Sequence, residues 1–306
     1  MTDRRCACIK CMHATEQKYG GSAVKQILLK DGTALPCVGQ GTWFAGEHDS
    51  KRASEIEALR WGIEHDMTLI DTAEMYGEGA SEELVGEAIA PYEREKLFLV
   101  SKVYPWNAGR AHIFDSCEQS LKRLGTSYLD LYLLHWRGSV PLAETVSCME
   151  ELVRNGMIRR WGVSNFDTDD MEELYGVKHG DRCQTDQVLY HLGSRGTELE
   201  LQPWLKEHDT PLMAYCPLGQ GGTLRSGMTS HPVLKQIAED HQVSVFQVLL
   251  AFVLRSGTVF AIPKAGTASH VQANREAADL VLSPQEIASL EQAFPAPKHP
   301  VGLDMV

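Results

Sequence analysis

From residue 24 onward, short apolar runs alternate with longer amphipathic stretches, the pattern of buried strands and the helices that cover them. Residues 24–29 and 33–36 flank Asp31-Gly32 and predict a hairpin with a two-residue type I′ turn, plugging one end of the fold. Residues 38–42, 68–71, 97–101, 129–135, 158–164, 183–188, 211–215 and 259–262 predict eight strands. Helices are expected from Ser50 to His65 with Ser50 as N-cap, from Ser81 as N-cap, over about 110–124 up to Gly125, and over 141–154 up to Asn155-Gly156. A further helix is expected over 167–174 behind an N-cap pair Ser164-Asn165, and a last one from Ser283-Pro284. Eight strand–helix units with short connections predict an α/β fold, a single (β/α)8 barrel with extra C-terminal helices. An open doubly wound sheet is the weaker reading, because no G-x-G-x-x-G follows an early strand.

The ends of these strands carry titratable groups. Asp71, with Tyr76 just beyond it, follows one strand; Lys102 ends the next and His135 the one after. Strand exits of a parallel barrel meet on one rim, where active sites form. A tyrosine ionises near 10, and a cation within about 4–6 Å lowers that value, so Lys102 is expected to tune Tyr76 as a proton donor. Asp71 is expected to hold the ammonium, and His135 to orient a carbonyl oxygen. Taken singly, each residue is as readily structural: an Asp after a strand caps loops, and a buried His is commonly a satisfied core group.

Composition changes the picture in two ways. A net charge of −12, from 41 acidic and 29 basic residues, argues against a nucleic-acid surface and leaves room only for a local positive pocket. No apolar run approaches a membrane span, and no secretory apolar core opens the chain, so a cytoplasmic protein without a membrane partner is expected. Cys37, Cys117, Cys148, Cys183 and Cys216 fall in or beside apolar segments, as reduced thiols do. Residues 1–22 read as a flexible leader ahead of one barrel over 23–306. Cys6-x-Cys8-x-x-Cys11-x-His13 in that leader has zinc-ligand residue types, but no metal is expected there.

Several segments in order resemble the aldo-keto reductases over nearly all of residues 23–306. They are Gly39-Gln40-Gly41-Thr42-Trp43, Asp71-Thr72-Ala73-Glu74-Met75-Tyr76-Gly77, Val100-Ser101-Lys102-Val103, residues 130–136, and Gly162-Val163-Ser164-Asn165-Phe166. Residues 184–190, Ala214-Tyr215-Cys216-Pro217-Leu218-Gly219 and Ile262-Pro263-Lys264 continue the series. Lys102-Val103-Tyr104-Pro105-Trp106-Asn107, residues 188–196 and the final Leu303-Asp304-Met305-Val306 are most similar to the bacterial methylglyoxal-reducing members.

The resemblance implies reduction of aldehydes and reactive ketones with NADPH, NADH being the second candidate, and Tyr76 as proton donor. It implies that Tyr215 stacks on the nicotinamide and that Ser164, Asn165 and Gln187 hold its carboxamide, with Gly41, Thr42, Trp43 and Asp71 beside it. Pro217, Leu218, Gly219, Gly221 and Gly222 are expected to approach the pyrophosphate, glycine permitting close backbone contact. Ile262, Lys264 and Thr267 are expected near the 2′-phosphate and Asn274 near the adenine. His270 stands where many members carry arginine and Ala273 where many carry glutamate, so only a moderate NADPH preference is expected. Trp43, Tyr104 and Trp136, with Tyr76 and His135, are expected to line the substrate pocket, and Trp106 is a further candidate. Expected partners are a small carbonyl compound alone, with no nucleic acid and a monomer or weak oligomer.

Two other functions use the same residues. A nicotinamide-binding, redox-sensing regulatory module would bind cofactor with little turnover. A barrel isomerase or aldolase would use Lys102 as a Schiff-base nucleophile, which an adjacent Asp71 opposes by keeping the amine protonated.

Overall fold

The computed structural model describes residues 24–220 and 222–306; the leader, its cysteine cluster and Gly221 lie outside the described residues. β1 (Gln26–Leu28) and β2 (Ala34–Pro36) pair antiparallel, with Ile27 opposite Leu35. The connection differs from the predicted type I′ turn. The Leu29 amide bonds the Thr33 carbonyl at 2.9 Å, and Gly32, at φ +84°, is the only one of the intervening residues with a positive φ. Asp31 avoids the left-handed region because its carboxylate accepts from the Thr33 amide at 2.9 Å, leaving the backbone strain to the glycine.

β3 (Gln40–Gly41), β4 (Leu69–Asp71), β5 (Phe98–Val103), β6 (Leu131–Leu134), β7 (Trp161–Ser164), β8 (Asp186–Leu189), β9 (Leu212–Tyr215) and β10 (Val259–Ala261) form one parallel sheet in sequential order. Parallel bridges Val38–Ala261 and Gly41–Lys264 join its first and last strands, closing the barrel. The hairpin lies at the N-terminal end of the strands: the Asp31 amide bonds Gln184, just before β8, and the Asp31 carboxylate pairs with Arg160, just before β7. The opposite rim is thereby left open.

Helices alternate with the strands, the extra ones being Gly222–Ser230, Pro232–Asp240 and Pro284–Ala293. Ile113–Leu124 ends at Gly125, at φ +65°, and Ser283 caps Pro284–Ala293 through a capping box, both as expected. Three expected caps are different. His48, not Ser50, precedes Asp49–Glu64. Gly79 precedes Ala80–Ile89, and the Ser81 hydroxyl instead bonds Thr42 Oγ1 at 2.7 Å and the Thr42 carbonyl at 3.0 Å in the interior. Asp167 caps Thr168–Gly176 through its own capping box, leaving Ser164 and Asn165 free for the rim. In the last two cases a polar side chain near a helix start is claimed by buried tertiary partners rather than by the local amide.

Candidate active site

Lys102 projects from β5 into the barrel and is fully buried, so its ammonium needs partners. It donates to Asp71 Oδ1 at 2.6 Å, to the Thr72 carbonyl at 2.9 Å and to Tyr76 Oη at 3.1 Å. Three acceptors match the three hydrogens of the charged form. Asp71, at the end of β4, receives a second bond on Oδ2 from Gln187 Nε2 at 2.8 Å. Burial lifts the Asp71 carboxyl and lowers the Lys102 amine, and each opposes the shift of the other.

Because Lys102 occupies an acceptor site on Tyr76 Oη, the phenol's own hydrogen is left to point into the cleft. The phenol is pushed well above its usual 10, first by burial and then by the Asp71 carboxylate. This corrects the expectation that Lys102 lowers Tyr76 at rest: the resting site holds the proton on the phenol, and the ammonium at 3.1 Å acts on the phenolate when that forms. His135, one residue past β6, meets Tyr76 edge-on with ring centroids 5.8 Å apart. Burial, then Lys102, pulls it down to about 2, so it stays a neutral imidazole. Its Nδ1 is buried without a hydrogen-bond partner.

The remaining expected rim residues are joined to one another. Ser164 Oγ donates to the Gln187 carbonyl at 2.7 Å, Asn165 Nδ2 to the His135 carbonyl at 3.1 Å, and Tyr215 Oη to Asn165 Oδ1 at 2.8 Å. Asn165 sits at φ +58°, a strained conformation that Asn tolerates better than most residues. A cleft of about 250 Å³ opens beside them, lined by Gly41, Thr42, Trp43, Asp71, Tyr76, Tyr215, Pro217, Leu218, Gly219, Ile262 and Lys264. Thr267 and His270 are exposed around the start of helix Ala268–Ala277, and Asn274 is buried further along it. These three lie outside the cleft's lining, as do Ser164, Asn165 and Gln187.

Of the aromatics expected at the substrate pocket, Trp43 and Tyr76 line this cleft, while Tyr104, Trp106, His135 and Trp136 cluster outside its lining. Trp43 lies 6.5 Å from Tyr76 and stacks on Phe44 at 4.4 Å. Tyr104 stacks on Trp106 at 4.3 Å, and Trp136 meets both edge-on while lying 5.0 Å from His135. Glu74 supports this cluster from behind, accepting from the Tyr104 amide at 2.7 Å.

Phe44, Cys216, Gln220, Arg225 and Pro263 also line the cleft and were not singled out from sequence. Cys216 follows the Tyr215 strand exit, the position that marked the other groups. Glu55 was missed as well. It pairs with Lys264 at 3.0 Å from a buried position on helix Asp49–Glu64. The available signal was an acid on that helix's apolar face, in register with Leu59 and Gly62.

A model of the aldo/keto reductase family matches residues 37–294. The chain is an aldo/keto reductase. Its sequence is 54% identical over 282 residues to methylglyoxal reductase YeaE of Escherichia coli, covering 92% of this chain and 99% of that protein. It is 35% identical to glyoxal reductase of Bacillus subtilis, covering 87% of this chain and 91% of that one. The barrel superposes on an aldo/keto reductase of Klebsiella pneumoniae solved with NADP and acetate, with a TM-score of 0.90, 51% identity, and coverage of 93% and 100% of the two chains. Like those proteins, this aldo/keto reductase is an oxidoreductase of the carbonyl-reducing kind. The residues present suit a dinucleotide: a flat ring wall at Tyr215, a turn of positive-φ Gly219, and the Lys264 cation on the cleft that also holds the Tyr76 phenol.

Proposed function

We propose that this chain reduces aldehydes and reactive ketones, methylglyoxal-like 2-oxoaldehydes among them, to alcohols with NADPH, and that Tyr76 supplies the proton. The observation that carries this reading is the Asp71–Lys102–Tyr76 chain of hydrogen bonds, 2.6 and 3.1 Å, ending at a phenol on the cleft. When bound, the reduced nicotinamide supplies a hydride to the carbonyl carbon. Tyr76 gives its proton to the carbonyl oxygen, and the Lys102 ammonium stabilises the phenolate left behind. Asp71 holds Lys102 in place and keeps it charged. Neutral His135 positions the oxygen without competing as a proton source. Tyr215 and the Asn165 amide that grips its hydroxyl form the wall for the nicotinamide, while Lys264 and the first turn of helix Ala268–Ala277 receive the adenosine end.

The reductase names of relatives similar along their whole length support an enzyme over a regulatory module. The aromatic cluster favours planar carbonyls. The same reading takes residues 23–306 as one barrel unit that works in the cytoplasm as a monomer or weak oligomer. No single helix among the described residues is long and apolar enough to cross a membrane. The test is consumption of NADPH and NADH with methylglyoxal, glyoxal and simple aryl aldehydes. Many turnovers with faster use of NADPH support the reading; tight NADPH binding with no turnover on any of them overturns it.

A further inference from the structure

The cation expected to meet the 2′-phosphate is already paired. Lys264 Nζ donates to Glu55 Oε1 at 3.0 Å, from a side chain still 35% exposed to the cleft, whereas the Glu55 side chain is only 4% exposed. The second oxygen of Glu55 accepts from the Gly46 amide at 3.0 Å. Gly46 closes the turn that carries Trp43 and Phe44, and its φ of +80° together with the Ala80 carbonyl, which a Cβ would approach to 2.5 Å, fixes it there. Glu55 is therefore clamped between the Trp43 loop and the cofactor cation, with Gly266 leaving room for the pair: a Cβ there would sit 3.3 Å from Lys264 Nζ.

A carboxylate buried this deeply cannot turn to water when its cation is drawn away. A phosphate monoester brings close to two negative charges. If Lys264 swings fully to the phosphate, Glu55 is left as a buried, unpaired charge; if Lys264 bridges, the two anions face each other across one ammonium. Either way the gain from the phosphate is reduced. A ribose bearing a free 2′-hydroxyl incurs neither penalty.

We propose that Glu55 is a specificity-determining residue for the cofactor: it competes with the 2′-phosphate for Lys264 and so holds down the preference for NADPH over NADH. This rests on the reading that Lys264 receives the 2′-phosphate.

The test uses adenosine 2′,5′-bisphosphate and adenosine 5′-monophosphate as probes, titrated calorimetrically into the full chain. Glu55→Gln keeps the shape and the acceptor for Gly46 while removing the charge. It is expected to tighten the bisphosphate roughly three- to tenfold, leave the monophosphate unchanged, and alter neither affinity in a Lys264→Met background. Unchanged or weakened bisphosphate binding in Glu55→Gln, with Lys264→Met still lowering it, overturns the proposal and leaves the cofactor placement standing. Equal binding of both probes regardless of Lys264→Met overturns the placement and the proposal together. The melting temperature of each variant separates these results from a loss of fold.

Discussion

Two charge networks in this barrel, one buried and one partly buried, invite comparison. One joins Asp71, Lys102, Tyr76 and Gln187. The other joins Glu198 to Arg195, Arg255 and Tyr190, with Glu291 at its edge. Both gather opposite charges away from bulk water, the first completely and the second in part, so charge pairing alone does not separate them. The second is closed: one Glu198 oxygen receives Tyr190, Arg195 and Arg255 at 2.6, 3.0 and 2.9 Å, and Arg195 also donates to the Phe294 carbonyl. The first ends in a phenol on the open cleft with a hydrogen to give, against the ring of His135, whose Nδ1 is buried with no partner. A network with unused hydrogen-bonding capacity facing a cavity can act on a substrate; one that satisfies itself ties elements together.

Replacing one residue in each network breaks the comparison in opposite directions. Lys102→Met is expected to slow carbonyl reduction by about 10²–10⁴-fold, because the phenolate formed on proton transfer loses its cation. Measured in reverse, alcohol oxidation needs the phenolate, so its rise with pH should move to higher pH in the variant. An unchanged rate and pH profile would make Lys102 a structural cation. Glu198→Ala is expected to cost about 1–3 kcal/mol of stability by removing the carboxylate that joins the two guanidiniums and leaving them to share Glu291, with turnover per folded molecule retained. Denaturant unfolding and active-site titration check both parts.

The Glu198 network also has a pH signature. Burial pushes the Glu198 carboxyl up, but Arg195, Tyr190 and Arg255 outweigh it and hold it below the usual range. Its stabilisation is therefore present above the unfolded value of about 4.3 and is lost as pH falls through the folded value, so melting temperature should drop in acid. Catalysis should respond less. With His135 held down to about 2, no loss of kcat/KM attributable to imidazole protonation is expected between pH 8 and 5. A fall with an apparent value near 6.5 that disappears in His135→Gln would contradict the neutral imidazole. Smallest of all, His270→Arg should tighten NADPH a few-fold relative to NADH by adding a fixed cation near the adenosine end. An unaltered ratio of affinities would place His270 away from the phosphate.

How far the sequence revealed this molecule depends on whether the signal was local. Strand exits were legible because an apolar run followed by Asp, Lys or His is read within a few residues, and three such exits, with Tyr76 just past the first, led directly to the rim. The Ser81 cap was misread for the opposite reason. Ser81 has the composition of an N-cap, yet its hydroxyl lies against Thr42 and Thr72, partners 39 and 9 residues away. Glu55 stayed unnoticed because its meaning comes from Lys264, 209 residues later in the chain. The direction of the Tyr76 shift was also misjudged: Lys102 and Asp71 were foreseen beside it, but the depth of its burial, the largest cause of the shift, was not.

The central claim is that Tyr76 donates the proton, and one measurement addresses it most directly. Tyr76→Phe retains the ring and removes the transferable hydrogen. Loaded with NADPH and mixed with methylglyoxal in a stopped-flow instrument, the variant should show a single-turnover rate about 10²–10⁴-fold below the parent, with NADPH affinity and melting temperature unchanged. A single-turnover rate within about tenfold of the parent, at equal cofactor occupancy, would contradict the account.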